Sequence, residues 1–282
     1  MPSSALHIRP MMPAELDVAV EWAAAEGWNP GWHDADTFHA ADPGGFLLGQ
    51  IDDTLVAAIS AVRYGGHFGF IGFYIVRPEF RGQGHGIAIW RAAMQQLAGR
   101  TIGLDGVVAQ QGSYRKSGFV LAWNNVRHEV IAGSSAYRDS SIAPLFQATA
   151  DLLAYDASFF PDDRRVFVRH WIAQPGSTTL TLRQDGRLAG YGTIRPCRIG
   201  FKVGPLFADD AHLADRLLRA LITYAKPGEP VQLDTPAANP AAIALAQALG
   251  MRPVFETARM YAGQAPALPL GKIFGITTYE LG

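Results

Sequence analysis

The sequence repeats a strand-and-turn pattern at a nearly constant distance, and this repeat constrains the fold more than any other feature. Residues 54–57 (TLVA) align with residues 187–190 (RLAG) at an offset of 133, and residues 117–119 (SGF) align with residues 249–251 (LGM) at an offset of 132. An offset that holds over about sixty residues indicates a duplicated domain. The alternative is coincidental patterning of strands and turns in two unrelated α/β halves.

Size and charge limit the class of protein. The 282 residues are enough for two domains with separate cores. Lys and Arg total 24 and Asp and Glu total 25, a formal net charge of −1, so no overall field favours nucleic acid or an acidic membrane. The single cysteine, Cys197, excludes an intrachain disulfide and a multi-cysteine metal site. No apolar run has the length of a signal peptide or of a membrane span. We expect a soluble, cytoplasmic protein that binds neither nucleic acid nor membranes, and the sequence leaves its oligomeric state open.

Apolar periodicity predicts an alternating α/β order in the first half. A strand from Leu6 precedes a helix that opens near Pro13 and ends at Gly27, with one further helix possible before the next strand. The later predicted elements are strands at 45–52, 54–64 and 68–76, a helix at 84–98, a strand at 101–109, a helix at 111–117 and a strand at 119–130.

Three glycines lie between a buried strand and a helix in the stretch FGFIGFYIVRPEFRGQGHGIA, residues 68–88. A helix N-terminus offers unpaired amides and a favourable dipole, and glycine lets oxygen atoms approach the backbone, so this junction suits phosphate. The alternative is a tight turn that needs positive φ. No lysine follows the glycines as a P-loop requires, and their spacing does not fit a dinucleotide fingerprint.

The second half shares the framework and lacks the glycines. Residues 133–141 (GSSAYRDSS) have the polar composition of a linker, residues 142–160 and 164–172 are predicted to be helical, and strands are predicted at 178–182 and 188–194. Where the first half has Arg81 to Gly86, the second has DAHLAD at 210–215, whose acidic residues would repel an anion. We therefore expect phosphate binding in the first copy only.

Two motifs resemble those of one acyltransferase family. Arg81-x-x-Gly84-x-Gly86, after a strand ending in Val-x-Pro, resembles motif A, (Q/R)-x-x-G-x-(G/A), of the GNAT superfamily of acyl-CoA-dependent N-acetyltransferases. The run from Tyr114 to Gly118-Phe119 resembles the family's Tyr-x-x-x-Gly-Phe element. The resemblance covers residues 6 to about 130. Residues 26–31 and 271–282 resemble features of family members with two GNAT-like halves.

The resemblance implies an α/β (α+β) fold with two tandem GNAT-like domains, each a mixed, mostly antiparallel sheet flanked by helices. An intact N-terminal acetyltransferase domain would span residues 1–132, a linker 133–141, and a degenerate copy 142–282. Ala246 stands where the second copy would have its tyrosine. Residues 142–172 of that copy could cover the sheet edge or the acceptor cleft of the first.

The resemblance also implies the chemistry. The amine of an acceptor would attack the thioester of acetyl-CoA directly, with no metal, and Tyr114 would give a proton to the leaving thiolate. The implied cofactor-binding residues are Tyr74, Ile75 and Val76 beside the pantetheine, and Arg81, Gly82, Gln83, Gly84, His85 and Gly86 at the pyrophosphate. The pantetheine would lie between residues 73–76 and 102–108, with an amide near Val76 facing the oxyanion. The acceptor would be a primary amine of a small molecule or peptide, bound by Glu26, Trp28, Asn29, Trp32 and Tyr64. The alternative for the two tryptophans and Tyr64 is plain packing on the domain.

Several points stay open in the sequence. Five residues are conceivable general bases, and none is favoured: Glu26, His33, Asp34, Glu79 and Asp105. The histidines show no spacing typical of a metal site. A non-catalytic acyl-CoA sensor with the same fold, or an interaction protein in which the glycines only form a turn, are the rival functions.

Overall fold

The computed structural model describes residues 5–134 and 136–282. Within these residues, the first half of the chain forms six strands and four α-helices. Its strands are β1 (His7–Pro10), β2 (Phe46–Ile51), β3 (Thr54–Tyr64), β4 (Phe68–Val76), β5 (Thr101–Val107) and β6 (Val120–Ile131). Its helices are α1 (Leu16–Ala25), α2 (Asp34–Ala41), α3 (His85–Gln96) and α4 (Gln111–Lys116).

The second half repeats this order with additions at both ends. Its strands are β7 (Ile142–Leu145), β8 (Thr178–Gln184), β9 (Arg187–Pro196), β10 (Phe201–Ala208), β11 (Pro230–Pro236), β12 (Arg252–Ala262) and β13 (Ile273–Gly275). Its helices are α5 (Ala150–Asp156), α6 (Arg165–Ile172), α7 (Ala211–Ile222) and α8 (Pro240–Ala248).

All described strands belong to one sheet, in which the two halves exchange their final long strands. The order is β1-β2-β3-β4-β5-β12-β6-β11-β10-β9-β8-β7, with β13 paired to β10. Strand β12 of the second half lies antiparallel between β5 and β6, while β6 of the first half pairs with β11. The pairs β4–β5 and β10–β11 are parallel, and the other pairs are antiparallel. The sheet is therefore mixed and mostly antiparallel.

Equivalent turns in the two halves show the duplication at the level of the backbone. The β2–β3 turn places Asp52 at a φ of 50°, and the β8–β9 turn places Asp185 at a φ of 49°. Asp tolerates this left-handed conformation better than most residues, so both hairpins turn on the same residue type.

The structure corrects one prediction of secondary structure. Residues 142–145 were expected to open a helix, but they form β7, which pairs with β8 at the end of the sheet. Pro144 cannot donate a hydrogen bond and is tolerated in an edge strand, so the short apolar run pairs as a strand before α5 begins. Helix α2 is the further helix that the sequence allowed before β2.

Helices cover both faces of the sheet. Side chains alternate along β3, so Ala58 and Val62 pack with α1 and α2, while Ala57 and Ile59 pack with α3 on the other face. Helix α6 packs on α2, where the rings of Trp171 and Phe38 stack at 6.2 Å. Within the described residues, no helix is both long enough and apolar enough to span a membrane.

Candidate active site

The candidate site is a gap between the parallel strands β4 and β5. Their pairing runs from Phe68–Thr101 to Ile71–Leu104 and stops there. Beyond these residues the strands separate and leave a cleft of about 410 Å³. The residues that line it are Glu26, Trp28, Ile71, Gly72, Phe73, Tyr74, Ile75, Val76, Arg81, Trp90, Leu104, Asp105, Gly106, Val107, Gln110, Tyr114, Phe255, Thr257, Tyr279 and Glu280.

A bulge in β4 coincides with the start of the gap. The β3–β4 register shifts between Ala58 and Ser60, and Phe73 has a φ of 46°. An extra residue in one strand bends it and changes the direction of its backbone groups. Beyond the bulge, the Arg77 amide donates to Val56 of β3 at 3.0 Å. Amide direction alternates along a strand, so the Val76 amide points to the opposite side, into the gap.

The glycine-rich loop leaves a set of backbone donors without acceptors. Gly82 and Gly84 have φ values of 76° and 88°, and Gly84 is the N-cap of α3. Within the described chain, the amides of residues 82–87 have no hydrogen-bond acceptor. A Cβ on either Gly82 or Gly84 would meet no atom within 4 Å, so the outer side of the loop is open. Such amides at a helix N-terminus can bind the oxygens of a diphosphate.

Gly86 differs from the other two glycines, because it makes room for a side chain of the cleft. A Cβ there would lie 2.8 Å from the hydroxyl oxygen of Tyr74, whose ring packs on Trp90 with the centroids 5.3 Å apart. Burial raises the pKa of Tyr74. Arg81 is fixed at the lip of the cleft, where its Nε donates to the Val76 carbonyl at 2.8 Å and its Nη2 pairs with Glu26.

Tyr114 packs closely against β5 at the gap. A Cβ on Gly106 would lie 2.2 Å from Cε2 of Tyr114, so glycine at this position lets the ring rest on the strand backbone. The ring also packs against Trp90, with the centroids 5.6 Å apart and the planes tilted by 34°. Two effects raise the pKa of Tyr114 to about 12: burial is the larger, and the nearby Tyr74 adds to it. The phenol therefore stays protonated at neutral pH and can donate a hydrogen bond into the cleft.

The structure separates the residues expected to bind the acceptor into two groups. Glu26 and Trp28 line the cleft. Asn29 is buried and bonds to the backbone of Ile199, away from the cleft lining. Trp32 is 55% exposed beneath the guanidinium of Arg198, and Tyr64 is buried, where its hydroxyl donates to the Leu281 carbonyl at 3.0 Å.

Most of the conceivable bases are already paired. Glu26 pairs with Arg81, and Glu79 pairs with Arg77. Asp105 accepts two bonds from Arg259, at 2.8 and 2.6 Å.

Asp34 is the most deeply buried of these bases. Burial acts to raise its pKa, but Arg195, at 2.9 Å, outweighs this effect and holds the pKa below its usual value. The remaining conceivable base, His33, is exposed just before α2 and does not line the cleft.

The second half closes the equivalent gap with its own chain. The parallel pairing of β10 and β11 stops at Val203–Leu233, and β13 then pairs with β10 beyond that point. The N-terminus of α7 is capped by Asp210, whose carboxylate accepts from the Leu213 amide at 2.9 Å. A filled gap and a carboxylate at the helix end both disfavour an anionic ligand there.

The C-terminal segment 276–282 contributes to the cleft of the first half, and the sequence reading did not find this role. Gly72 of β4 and Gly204 of β10 are related by an offset of 132, and each follows the last residue paired with its parallel neighbour. A Cβ on Gly204 would lie 2.5 Å from the Thr277 carbonyl oxygen, so the segment also touches the second half. It brings Tyr279 and Glu280 to the cleft lining.

The described part of the chain contains no group of three or more His, Cys, Asp or Glu residues that could hold a metal ion.

The comparisons with known proteins agree with this geometry. Residues 14–119 match the family described as "Acetyltransferase (GNAT) family", and residues 152–275 match "Acetyltransferase (GNAT) domain". The chain is 28% identical over 275 residues to the holothin acyltransferase of Pseudoalteromonas sp. (strain SANK 73390), covering 97% of this chain and 94% of that protein.

Solved structures share the fold over nearly the whole chain. A Pyrococcus horikoshii protein superposes with a TM-score of 0.85 at 21% identity, covering 100% of this chain and 97% of that one. A tandem GNAT protein from the clavulanic acid biosynthesis pathway superposes with a TM-score of 0.62 at 16% identity, covering 93% and 100%. The two family matches, one in each half, explain the repeated strands, the repeated turns and the two parallel strand pairs. The chain belongs to the GNAT acyltransferase family and carries two GNAT domains in tandem.

Proposed function

We propose that this protein is an N-acetyltransferase that transfers the acetyl group of acetyl-CoA to a primary amine of a small molecule or peptide, in the cleft of its first half. One observation carries the proposal: a gap between parallel strands is lined by a buried, protonated tyrosine and by Arg81, the residue that directly precedes a row of unpaired amides. The amides suit a diphosphate, the free strand edge suits an extended amide chain, and the phenol suits a leaving thiolate.

Each part of the cleft has a distinct task in this proposal. The amides of residues 82–87 bind the diphosphate, and the β4 edge from Tyr74 to Val76 bonds to the pantetheine arm. The Val76 amide stabilises the oxyanion, a type of contact worth about 3 kcal/mol. With a pKa of about 12, Tyr114 assists the leaving sulfur mainly as a positioned hydrogen-bond donor, because full proton transfer to a thiolate would be uphill.

The acceptor side of the cleft favours an amine carried on an apolar body. Trp28, Phe73, Phe255 and Tyr279 line the cleft, and two of the three acidic residues in the lining, Glu26 and Asp105, are paired with arginines. A polycation would need several unpaired carboxylates. We retain Glu26 and Trp28 as proposed acceptor contacts, because they line the cleft. The positions of Asn29, Trp32 and Tyr64 do not support a contact with the acceptor.

We also propose that only the first copy is catalytic. The domains would span residues 1–132 and 142–282, with a linker at 133–141. Because β6 and β12 are exchanged, each domain contributes one strand to the sheet region of the other. The second copy would support the fold and complete the acceptor pocket. Its filled gap, the cap at Asp210 and the buried Ala246 in place of a tyrosine support this role.

The test combines calorimetry with an assay of released CoA thiol. Acetyl-CoA should bind at one site per chain, and CoA should be released with at least one member of a panel containing 2-phenylethylamine, tryptamine, spermidine, kanamycin, lysine and a short peptide. Binding without turnover on any amine would favour a sensor. Absence of binding would remove both the enzyme and the sensor.

A further inference from the structure

The C-terminal segment places one carboxylate in the lining of the cleft. Glu280 lies two residues before the last residue of the sequence and is only 1% exposed, yet it lines the cleft. The Tyr64 hydroxyl donates to the Leu281 carbonyl at 3.0 Å, and the Arg164 guanidinium bonds to Thr277 at 3.1 Å. The backbone on both sides of Glu280 is therefore anchored by the body of the protein.

One oxygen of this carboxylate has no protein partner. Oε2 accepts a hydrogen bond from the hydroxyl of Thr278. Oε1 is buried without a hydrogen-bond partner among the described residues, and so is the hydroxyl of Thr257, which also lines the cleft. Buried polar atoms are normally satisfied, and each exception requires an explanation. A bound amine would supply donors to both atoms.

Nearby guanidiniums do not neutralise Glu280 by direct pairing. Arg127 and Arg195 lie within electrostatic reach, but Arg127 forms two bonds to Asp234 and Arg195 forms two bonds to Asp34. Burial acts to lower the pKa of Arg195, but Asp34, then Cys197 and, more weakly, Glu280 hold it above its usual value. The acidic residues in the cleft lining are Glu26, Asp105 and Glu280, and of these Glu280 alone has no arginine partner within the described chain.

Glu280 lies near the position that Tyr114 marks for the thioester. The Glu280 backbone contacts Gly72, the first residue of β4 beyond the paired segment, and Tyr114 contacts Gly106, the second residue of β5 beyond it. Both contacts lie where β4 and β5 separate, and Glu280 and Tyr114 both line the cleft that opens there. A nitrogen attacking the thioester beside Tyr114 would be within reach of a carboxylate there.

We propose that Glu280 is the general base of the reaction, a proposal that rests on the acetyltransferase function argued above. Its carboxylate holds the ammonium group of the acceptor and takes one proton from it. The freed lone pair forms the C–N bond, and the C–S bond then breaks. The nitrogen loses its second proton to solvent, and the departing thiolate, which accepts a hydrogen bond from Tyr114, takes up a proton from solvent. Glu280 then releases its own proton, so the products are the amide, the CoA thiol and one proton. The catalytic carboxylate thus comes from the second half of the chain.

The test compares Glu280→Gln with the wild type, using the panel amine that gives the highest kcat/KM. The amide keeps the size of the side chain and can still accept the Thr278 bond. We expect kcat/KM to fall about 100-fold at pH 7. The loss should shrink as the pH rises, because a larger share of the amine is then already neutral. The affinity for acetyl-CoA should stay within twofold of the wild type.

Two further variants separate catalysis from structure. Glu256→Gln, an exposed carboxylate on β12 whose partner is Asn124, should leave all parameters unchanged. Glu280→Asp keeps the charge and should retain the pH profile of the wild type at a lower rate, which provides a readout even if the glutamine variant folds poorly.

The outcomes distinguish this inference from the proposed function. If the wild type turns over and the kcat/KM of Glu280→Gln stays within threefold of it, the inference is wrong while the proposed function stands. A loss that is independent of pH and accompanied by weaker acetyl-CoA binding would overturn it in favour of a structural role. No turnover by the wild type with any amine would overturn the proposed function and the inference with it.

Discussion

Gly72 of β4 lies directly beneath the backbone of Glu280, and a Cβ on Gly72 would lie 2.1 Å from the Glu280 carbonyl oxygen. The equivalent glycine of the second half, Gly204, lies in the same way beneath Thr277, at 2.5 Å. The C-terminal segment therefore crosses the sheet on two equivalent glycines, one from each copy. The duplication provides two similar contact points, and a single segment uses both to connect the domains.

The variant Gly72→Ala should disturb this contact. The clash involves backbone atoms that cannot rotate away, so we expect a loss of about 1–3 kcal/mol in the free energy of unfolding and a fall in kcat/KM as Glu280 moves. Gly66→Ala, in the turn between β3 and β4, is the matched control, because a Cβ there would meet nothing within 4 Å. Urea unfolding and the CoA-release assay measure both effects. Equal stability and activity for the two variants would show that the segment is not held as described.

The variant Tyr114→Phe should lower kcat about 100-fold and leave the affinity for acetyl-CoA nearly unchanged, because it removes the hydroxyl and keeps the ring on Gly106. The exposed Tyr224→Phe serves as the control. A pKa raised to about 12 means that the protonated form persists to higher pH, so ionisation of Tyr114 should not reduce wild-type kcat below about pH 10. A fall in kcat between pH 8 and 10 that is absent in Tyr114→Phe would contradict this assignment.

The variant Gly84→Ala tests the glycine loop. A φ of 88° costs a residue with a Cβ about 1–2 kcal/mol, and relief of this strain would turn the amides at the start of α3 away from a shared ligand. We expect acetyl-CoA affinity to fall at least tenfold by calorimetry. Gly228→Ala carries the same backbone strain, with a φ of 91° and open space around it, but lies in the second half. If both variants lost affinity equally, general destabilisation rather than ligand binding would be the cause.

Local patterns in the sequence predicted the parts of the site that are contiguous in the chain. The strand, glycine loop and helix from Phe68 onward follow from apolar periodicity and helix-end chemistry, and the two-copy organisation follows from the constant offset. The family matches and the fold confirm that the chain has two GNAT domains. These features depend on neighbouring residues, which is why one sequence was enough to predict them.

The contributions from distant residues could not be predicted in this way. Glu280 is about two hundred residues from Gly72 in the chain, and nothing in the pattern of the C-terminal segment indicates which strand it crosses. Periodicity does not reveal the strand exchange either. β6 and β12 would show the same alternation of apolar and polar residues whichever half supplied their neighbouring strands. Trp32 and Tyr64 were expected at the acceptor, but packing under Arg198 and under the C-terminal segment places them elsewhere.

The variant Asp105→Asn tests the strand exchange through an ion pair that joins β5 of the first half to β12 of the second. Burial raises the pKa of Asp105 above its usual value, although Arg259 and Asn125 act against this by donating to its carboxylate. Removal of the carboxylate charge leaves the Arg259 guanidinium buried without a counter-charge, which typically costs about 3–5 kcal/mol. Glu79→Gln, which breaks the exposed pair with Arg77, should cost less than about 1 kcal/mol. Urea denaturation of both variants gives the comparison, and a loss for Asp105→Asn no greater than for Glu79→Gln would mean that this pair does not hold the exchanged strand in place.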